Sequence, residues 1–189
     1  MSLLLGVVGH LGSGKDTLSN ILSQNHGFIH VSASVVLRQH LPEGVEESRS
    51  QLVKVGNELR TCYGGDYLVK VAHKLGEKAD LVISGIYSQS EVDYIRMNGG
   101  LVLAVVASQT TRYKRLKLRK RFSDNLSFQD FLVSEEIESC GNNNNEQSVQ
   151  KLIDTSDFRF DNESSDKREL ERQIQDFLFH QRRGTNVQD

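Results

Sequence analysis

The 189-residue chain has the length of one globular domain, and 37% hydrophobic with 25% charged residues is an ordinary soluble composition. Its 23 basic and 25 acidic residues nearly balance, so we expect no nucleic-acid partner. No apolar run approaches the ~20 residues that span a bilayer, and no signal-peptide pattern is visible. These features exclude a membrane partner and predict a cytoplasmic location, in which Cys62 and Cys140 are reduced thiols.

Short apolar runs alternate with helical patterns along the chain. The runs predict strands at residues 3–8, 28–31, 81–83, 101–107 and 158–160. The helical patterns cover about 18–27, 49–79 with a break near Gly64 and Gly65, 111–121, and 167–179. Strands that alternate with helices predict an α/β fold of three layers, α/β/α, with a central parallel sheet of about five strands.

The boundaries of this domain are expected at the ends of the chain. Residues 1–189 contain no recognisable interdomain linker, so they are interpreted as a single domain. The run GNNNNEQ at 141–147 predicts a surface loop or local disorder. Residues 181–189 have little to bury and are expected to form a disordered tail.

The sequence GHLGSGKDTL at 9–18 follows the first predicted strand directly and precedes a predicted helix. Gly9, Gly14 and Lys15 match the spacing G-x-x-x-x-G-K, with Gly12 and Ser13 between them. Such a loop wraps backbone N–H groups around phosphate oxygens, and its lysine reaches the terminal phosphates. The alternative is a glycine-rich turn with a surface lysine. The strand–loop–helix setting favours the phosphate loop of a P-loop NTPase and predicts that the chain binds ATP.

The position after the lysine departs from the consensus, which has a serine or threonine hydroxyl to bind Mg²⁺. Here it is Asp16, and Thr17 follows. Asp16 is predicted to bind the metal directly or through water; alternatively it is an acid in the first helical turn, where the helix dipole favours negative charge. Because a carboxylate beside triphosphate repels it, tight nucleotide binding here implies Mg²⁺.

Beyond the loop, the chain resembles the adenylate-kinase-like group of P-loop kinases, chiefly nucleoside and deoxynucleoside monophosphate kinases and their dephospho-CoA-kinase-like relatives. The segments that carry the resemblance are GKDT (14–17), VSASVVLR (31–38), RSQLVKVGNELRTCYGGDYL (49–68), SGIYSQSEVDYIR (84–96), TTRYKRLKLRKR (110–121) and DTSDFRFDN (154–162). The resemblance covers nearly the whole chain. It implies a helical lid at about 110–140, ATP with Mg²⁺ as cofactors, and a small phosphorylated, nucleotide-like acceptor.

The resemblance also implies roles for single residues. Arg38, and with it Arg49 and Arg60, would bind the acceptor; a surface ion pair is the alternative for Arg38. The arginines of the predicted lid helix, Arg112, Arg115 and Arg119, share one helix face and would neutralise charge during transfer, with Lys15 as the other catalytic residue. A solvated helix face is the alternative for them. Asn162 would contact adenine, or would be ordinary turn chemistry.

Other polar residues near these segments are given ordinary roles. His10 occupies a tolerant loop position without assigned chemistry, and Glu91 is interpreted as an acid at a helix start. Histidines 26, 30, 40 and 73 show no metal-binding spacing.

Two departures from the kinase pattern bear on activity. Ser84 and Tyr87 stand where relatives read DGIR, so the acid that orders magnesium and the arginine that fixes a phosphate are both absent. Ser32 and Ser34 replace the aspartate pair of dephospho-CoA kinases, which ranks that reading second. The sequence therefore predicts an ATP-dependent nucleotide kinase in which Asp16 assumes part of the metal-ordering role. A nucleotide-binding regulator without turnover is the alternative, and a GTPase is disfavoured because no N-K-x-D sequence is present.

Overall fold

The computed structural model describes residues 2–42, 48–76, 78–119, 127–139 and 149–184. The predicted loop at 141–147, Cys140 and the tail beyond residue 184 lie outside the described residues, as does part of the predicted lid.

A five-stranded parallel sheet forms the centre of the fold. Its strands are β1 (Leu4–Val8), β2 (Ile29–Ser32), β3 (Leu81–Ser84), β4 (Leu101–Val106) and β5 (Phe158–Asp161), in the order β2-β3-β1-β4-β5. Every residue of β1 and β3 is buried, as expected of inner strands covered on both faces. The predicted parallel sheet of about five strands is therefore confirmed.

Helices cover both faces of this sheet. They are α1 (Lys15–His26), α2 (Ala33–Gln39), α3 (Arg49–Tyr63), α4 (Tyr67–Leu75), α5 (Gln89–Met97), α6 (Gln109–Arg119), α7 (Phe128–Ser139), α8 (Val149–Asp154) and α9 (Lys167–Gly184). Side chains of α1 and α9 pack on one face of the sheet, and those of α4, α5 and α8 pack on the other. The arrangement is the predicted three-layer α/β/α fold, and none of the described helices is long and apolar enough to cross a membrane.

The helices differ from the sequence-based expectation in two respects and agree with it in a third. The periodicity did not predict α2, α7 or α8, which are short or, for α7, apolar on no single face. The predicted break at Gly64 is confirmed, since α3 ends there with Gly64 at a φ of 104°. The tail was predicted to begin at residue 181, which is wrong for residues 181–184 because α9 continues to Gly184.

A parallel sheet brings the carboxyl ends of its strands to one edge. At that edge β1 leads into the glycine loop, while β2 and β3 end at Ser32 and Ser84, which are paired in register. β4 leads into α6 at the same edge. Ligand sites of open α/β sheets form where such strand ends meet, so the topology gathers the predicted site residues here.

Candidate functional site

The loop at residues 9–14 adopts a backbone conformation that depends on glycine. Gly12 and Gly14 have φ angles of 76° and 108°, in the left-handed region. A Cβ atom on Gly14 would clash with Nδ2 of Asn162, so any side chain there would have to displace that buried amide. Gly14 is the residue before α1, and the first turn of a helix presents backbone N–H groups that lack partners within the helix. The loop and helix together form an anion-binding arrangement.

Lys15 is the first residue of α1, and its side chain turns back over the loop. Its Nζ donates hydrogen bonds to the carbonyl oxygens of Gly9 at 2.7 Å and His10 at 2.9 Å. These bonds hold the ammonium group beside the backbone that would surround a phosphate. The position is the one the sequence motif requires of a phosphate-binding lysine.

A cavity of about 360 Å³ lies beside the loop. Residues of the loop and α1, of the ends of β2 and β3, and of α6 line it, although these elements are far apart in sequence. Its lining residues are Leu11, Gly12, Gly14, Lys15, Asp16, Thr17, Ser32, Ser34, Ser84, Gly85, Tyr87, Arg115, Leu118 and Arg119. The structure thus brings together the predicted phosphate loop and two predicted catalytic arginines. Ser84 and Tyr87, which stand in place of the acid and arginine of the kinase pattern, line the same cavity.

Asp16 and Thr17 line this cavity from the first turn of α1, where Asp16 is exposed. Within the described ranges, no three His, Cys, Asp or Glu side chains converge as a metal-binding group. Carboxylate and hydroxyl oxygens nevertheless suit Mg²⁺, which is commonly held by one or two protein oxygens together with waters and substrate phosphates. The two side chains fit an ion of that kind, shared with a bound nucleotide.

Ser84 is buried at the end of β3 and forms part of the cavity wall. Its Oγ lies 2.9 Å from Nε2 of His30, which projects from the neighbouring strand β2. Burial lowers the pKa of His30, and the negative charge of Asp16 opposes that shift. The neutral imidazole is therefore favoured near pH 7, so the wall carries a serine–histidine pair where the kinase pattern has an acid.

Arg115 and Arg119 approach the loop from α6. Arg115 is half-buried and donates to the carbonyl oxygens of Ser164 at 2.8 Å and Ser13 at 3.4 Å. Arg119 is exposed one turn further along the helix, and both residues line the cavity. Positive charge therefore faces the space next to the loop, as the lid interpretation requires.

Arg112 does not share that position, which corrects the expectation that it would neutralise charge during transfer. It is buried in the protein and forms a bidentate ion pair with Glu135 of α7. Its Nε also donates to the Ala107 carbonyl at 2.9 Å. The Oε1 of Glu135 lies 3.7 Å from Nδ1 of His10, so this network reaches the glycine loop from behind. No motif in the sequence points to Glu135 or His10, which meet only through the fold.

The three arginines predicted to bind the acceptor lie in different surroundings. Arg38 is exposed on α2 and its Nη1 donates to the Oγ of Ser34 at 3.2 Å, which places it beside a residue of the cavity wall. Arg60 is only 1% exposed, and its Nε and Nη2 donate to Oε1 of Glu91. This location corrects the expectation for Arg60, whose guanidinium is part of a buried ion pair. Arg49 is the first residue of α3, and its side chain lies outside the described residues.

Asn162 lies directly after β5, where its side chain supports the loop. Its Nδ2 donates to the carbonyl oxygen of Ser13 at 2.7 Å, and the residue is buried. The amide nitrogen is thus engaged inside the protein, a different position from the predicted contact with adenine. Since the same nitrogen closes the space next to Gly14, Asn162 and Gly14 form one packed contact behind the loop.

We expect Gly12→Ala to weaken nucleotide binding for two reasons: the strain of a left-handed backbone and a clash with α6. The new Cβ would lie 2.8 Å from the backbone oxygen of Arg112, so α6 and the loop would have to separate. Gly99→Ala is the matched control, because Gly99 has a similar φ of 72° but no atom within 4 Å of the added Cβ.

Both variants incur the left-handed penalty of roughly 1–2 kcal/mol, and we expect only Gly12→Ala to lower ATP affinity, by about tenfold or more. Isothermal titration calorimetry and thermal unfolding of the two proteins measure this. Equal ATP affinities in the two variants would contradict the contact between α6 and the loop.

A glycine loop between a buried parallel strand and a helix, with lysine at the first helical position, defines the phosphate-binding site of P-loop proteins. The fold itself is similar to that of P-loop kinases of known structure. The chain belongs to the AAA domain family, whose sequence profile matches residues 5–131, and to the UPF0200 family.

Two UPF0200 relatives illustrate the similarity. A UPF0200 protein of Pyrobaculum aerophilum is 32% identical over 174 residues, which are 90% of this chain and 94% of the relative. A UPF0200 protein of Methanocaldococcus jannaschii is 29% identical over 169 residues, covering 86% of this chain and 83% of the relative. The similarity therefore extends over most of both proteins.

Solved structures with the same fold include two shikimate kinases. The enzyme from Bacteroides thetaiotaomicron aligns with a TM-score of 0.61 at 13% identity, covering 93% of this chain and 98% of that chain. The enzyme from Aquifex aeolicus aligns with a TM-score of 0.56 at 17% identity, covering 99% and 100%. At these identities the likeness shows the fold and leaves the substrate to be inferred from the site.

Proposed function

We propose that this protein is an ATP-dependent phosphotransferase whose acceptor is a nucleoside or deoxynucleoside monophosphate or a similar phosphorylated small molecule. The observation that carries the proposal is the shared cavity, in which Lys15, Asp16 and the α6 arginines face the ends of β2 and β3. Phosphoryl transfer demands alignment and positive charge around the moving group rather than covalent chemistry. Lys15, Arg115 and Arg119 supply positive charge to this cavity, and the loop and the strand ends would align the two substrates.

The donor ATP would occupy the glycine loop. Backbone N–H groups of the loop and the Nζ of Lys15 would hold its outer phosphates, as the bonds from Lys15 to the loop carbonyls support. Asp16 and Thr17 would hold Mg²⁺ together with phosphate oxygens and water. Asp16 would orient the ligands of the ion, whose chemistry when bound would be to neutralise charge on the phosphates.

The acceptor would enter between α2 and the ends of β2 and β3. Ser32 and Ser34 line the cavity there, with their hydroxyl oxygens 2.7 Å apart, and Arg38 bonds to Ser34. An arginine suits a phosphate because its planar fork can donate two parallel hydrogen bonds. Arg38 would therefore anchor the acceptor phosphate, with the serine hydroxyls as further donors.

Arg115 and Arg119 would stabilise the transferring group from the α6 side. Their guanidinium groups lie on the cavity wall next to the loop, where charge develops on the equatorial phosphate oxygens. Arg115 is held by backbone carbonyls, whereas Arg119 lies further along α6 and is exposed.

A nucleotide-binding regulator without turnover is the second candidate. Ser84 and Tyr87 line the cavity in place of the acid and arginine of the kinase pattern, and this observation favours the regulator. The two functions differ in whether ADP forms when an acceptor is present. Acceptor-dependent release of ADP supports the phosphotransferase, and tight ATP binding without release under all acceptors supports the regulator.

Asp16→Ala removes the carboxylate and is expected to reduce the gain in ATP affinity that Mg²⁺ provides. We predict that Mg²⁺-dependent ATP affinity falls by about tenfold, the range of one charge-assisted contact to the metal shell. ATP affinity without Mg²⁺ should stay equal or rise, because the carboxylate no longer repels the triphosphate.

The measurement is ATP titration of Asp16→Ala and wild type at several Mg²⁺ concentrations. Asp93→Ala is the control, since Asp93 is an exposed acid of α5 whose side chain accepts a hydrogen bond from Nε2 of Gln89 at 2.9 Å. An unchanged response of Asp16→Ala to Mg²⁺ would reduce Asp16 to a helix-start acid.

A further inference from the structure

The pair of Ser84 and His30 is a feature of the cavity wall that the kinase pattern does not contain. Ser84 ends β3 between the other two strands that reach the site, with Val7 of β1 and Ser32 of β2 as its register partners. It is therefore next to the strand that leads into the phosphate loop. Its Oγ is 2.9 Å from Nε2 of His30, and the serine lines the cavity. A buried hydroxyl with an imidazole behind it connects the cavity to a basic nitrogen.

The state of His30 decides what this connection can do. A neutral imidazole has one nitrogen that donates a proton and one that accepts. Burial favours the neutral form by lowering the pKa of His30, while the carboxylate of Asp16 acts in the opposite direction. With Nε2 as the accepting nitrogen, Ser84 donates its proton to His30 and leaves its own oxygen lone pairs to accept a proton from the cavity.

Acceptors of a phosphoryl group differ in whether they must lose a proton. A phosphate monoester has a second pKa near 6, so at pH 7 its oxygens are largely deprotonated and attack without a base. A hydroxyl group keeps its proton at that pH, and a positioned base accelerates its attack by roughly 10²–10⁴-fold. The Ser84–His30 pair can therefore remove the proton of a hydroxyl acceptor. A phosphate acceptor has already lost its proton and does not need such a pair.

We propose that the atom receiving the phosphoryl group is a hydroxyl oxygen of the acceptor, and that Ser84 and His30 remove its proton. This inference rests on the proposed phosphotransferase function and narrows it. The acceptor oxygen forms a bond to the γ-phosphorus of ATP, and the bond from that phosphorus to the β–γ bridging oxygen breaks, with ADP as the leaving group. The acceptor proton passes to the Oγ of Ser84 while the Ser84 proton passes to Nε2 of His30.

The two residues have different parts in this step. Ser84 would touch the acceptor, whereas His30 acts through Ser84 and is a positioning residue that stores the proton. Among the lining residues that the structure describes, the carboxylate of Asp16 could also accept a proton, and the proposed function assigns it to Mg²⁺. The acceptor proton could thus pass to Ser84 and His30 or to Asp16. Variants of the pair and of Asp16 distinguish these two routes, because only the pair is proposed to remove the proton.

The first experiment identifies the bond that forms. Wild-type protein with ATP and Mg²⁺ is incubated with nucleoside monophosphates, deoxynucleoside monophosphates and dephospho-CoA, and products are assigned by phosphorus NMR. A new phosphate monoester supports the inference. A new diphosphate overturns it and leaves the phosphotransferase function intact, whereas the absence of product with every acceptor overturns both.

The second experiment tests the pair with the acceptor so identified. We expect Ser84→Ala and His30→Gln to lower kcat by roughly 100-fold while the KM for ATP changes by less than about threefold. Ser84→Thr, which keeps a hydroxyl, should retain most of the activity. The wild type should show a solvent deuterium isotope effect on kcat that is lost in His30→Gln, a change that a purely structural role of His30 would not produce.

The control is His73→Gln, because His73 bonds to the hydroxyl of Tyr94 at 3.0 Å and belongs to α4, away from the cavity wall. Thermal unfolding and ATP titration verify that each variant is folded. Activity of both Ser84→Ala and His30→Gln within about threefold of wild type would overturn the proton route. So would a loss of the isotope effect in Asp16→Ala together with its persistence in His30→Gln.

Discussion

Lys15→Ala is expected to lower the affinity for ATP·Mg²⁺ by roughly 10²–10³-fold, because it removes charge-assisted hydrogen bonds worth about 1.5–3 kcal/mol each. The side chain of Lys15 already lies over the loop, where its Nζ bonds to the carbonyls of Gly9 and His10. A bound nucleotide would therefore find the ammonium group close to its outer phosphates. Isothermal titration calorimetry of wild type and variant measures the difference.

Lys74→Ala is the control for this variant, since Lys74 is an exposed lysine of α4 and does not line the cavity. It removes the same charge from the protein and should leave ATP affinity within about twofold. Equal ATP affinities of wild type and Lys15→Ala would contradict the assignment of the loop as the donor site.

Glu91→Gln is expected to destabilise the protein by about 3 kcal/mol, the lower end of the cost of leaving a buried charge unpaired. Glu91 is fully buried at the start of α5, where one carboxylate oxygen accepts from the N–H groups of Tyr87 and Ser88. The other oxygen accepts two bonds from Arg60. Glutamine can still accept the backbone bonds, but it leaves the Arg60 guanidinium buried without its counter-charge.

For a chain of this length the expected loss lowers the melting temperature by roughly 6–12 °C. Glu58→Gln provides the control, since Glu58 is an exposed acid of α3 whose side chain pairs with Lys54 at 4.0 Å. Exposed pairs contribute about 0–1 kcal/mol, so this variant should melt close to wild type. Similar melting temperatures for Glu91→Gln and wild type would contradict a structural role of the Arg60–Glu91 pair.

The parts of the fold that could be predicted from sequence are those encoded by local patterns. β1 and β4 are continuous apolar runs that have no place except inside a sheet, and the glycine loop has a fixed spacing and setting. The motif and the resemblance together implied that the loop and the α6 arginines share one site. One cavity is indeed lined by residues of the loop, Lys15, Asp16, Arg115 and Arg119.

The parts that could not be predicted depend on contacts between distant residues. Arg60 and Glu91 are 31 residues apart, and each was interpreted by itself, one as an acceptor contact and the other as a helix-start acid. Glu91 does form a capping box with Ser88, so its local role is confirmed, but the same carboxylate also holds Arg60. A local pattern cannot reveal which charged side chain the fold will bury.

The same limit applies to the serine–histidine pair in the cavity. His30 and Ser84 are 54 residues apart and meet because β2 and β3 are neighbours in register. Local patterns show only that Ser84 stands in place of an acid and that the histidines have no metal-binding spacing. The strand order of the sheet was needed to connect the two residues.

Transfer of the γ-phosphoryl group from labelled ATP to a phosphorylated small-molecule acceptor tests the central claim most directly. Wild type and Lys15→Ala would be incubated with Mg²⁺ and the acceptor panel, and labelled products would be separated by chromatography. We predict that label moves to at least one acceptor with wild type and to none with Lys15→Ala. Tight ATP·Mg²⁺ binding by wild type with no label transferred to any acceptor would contradict the phosphotransferase function.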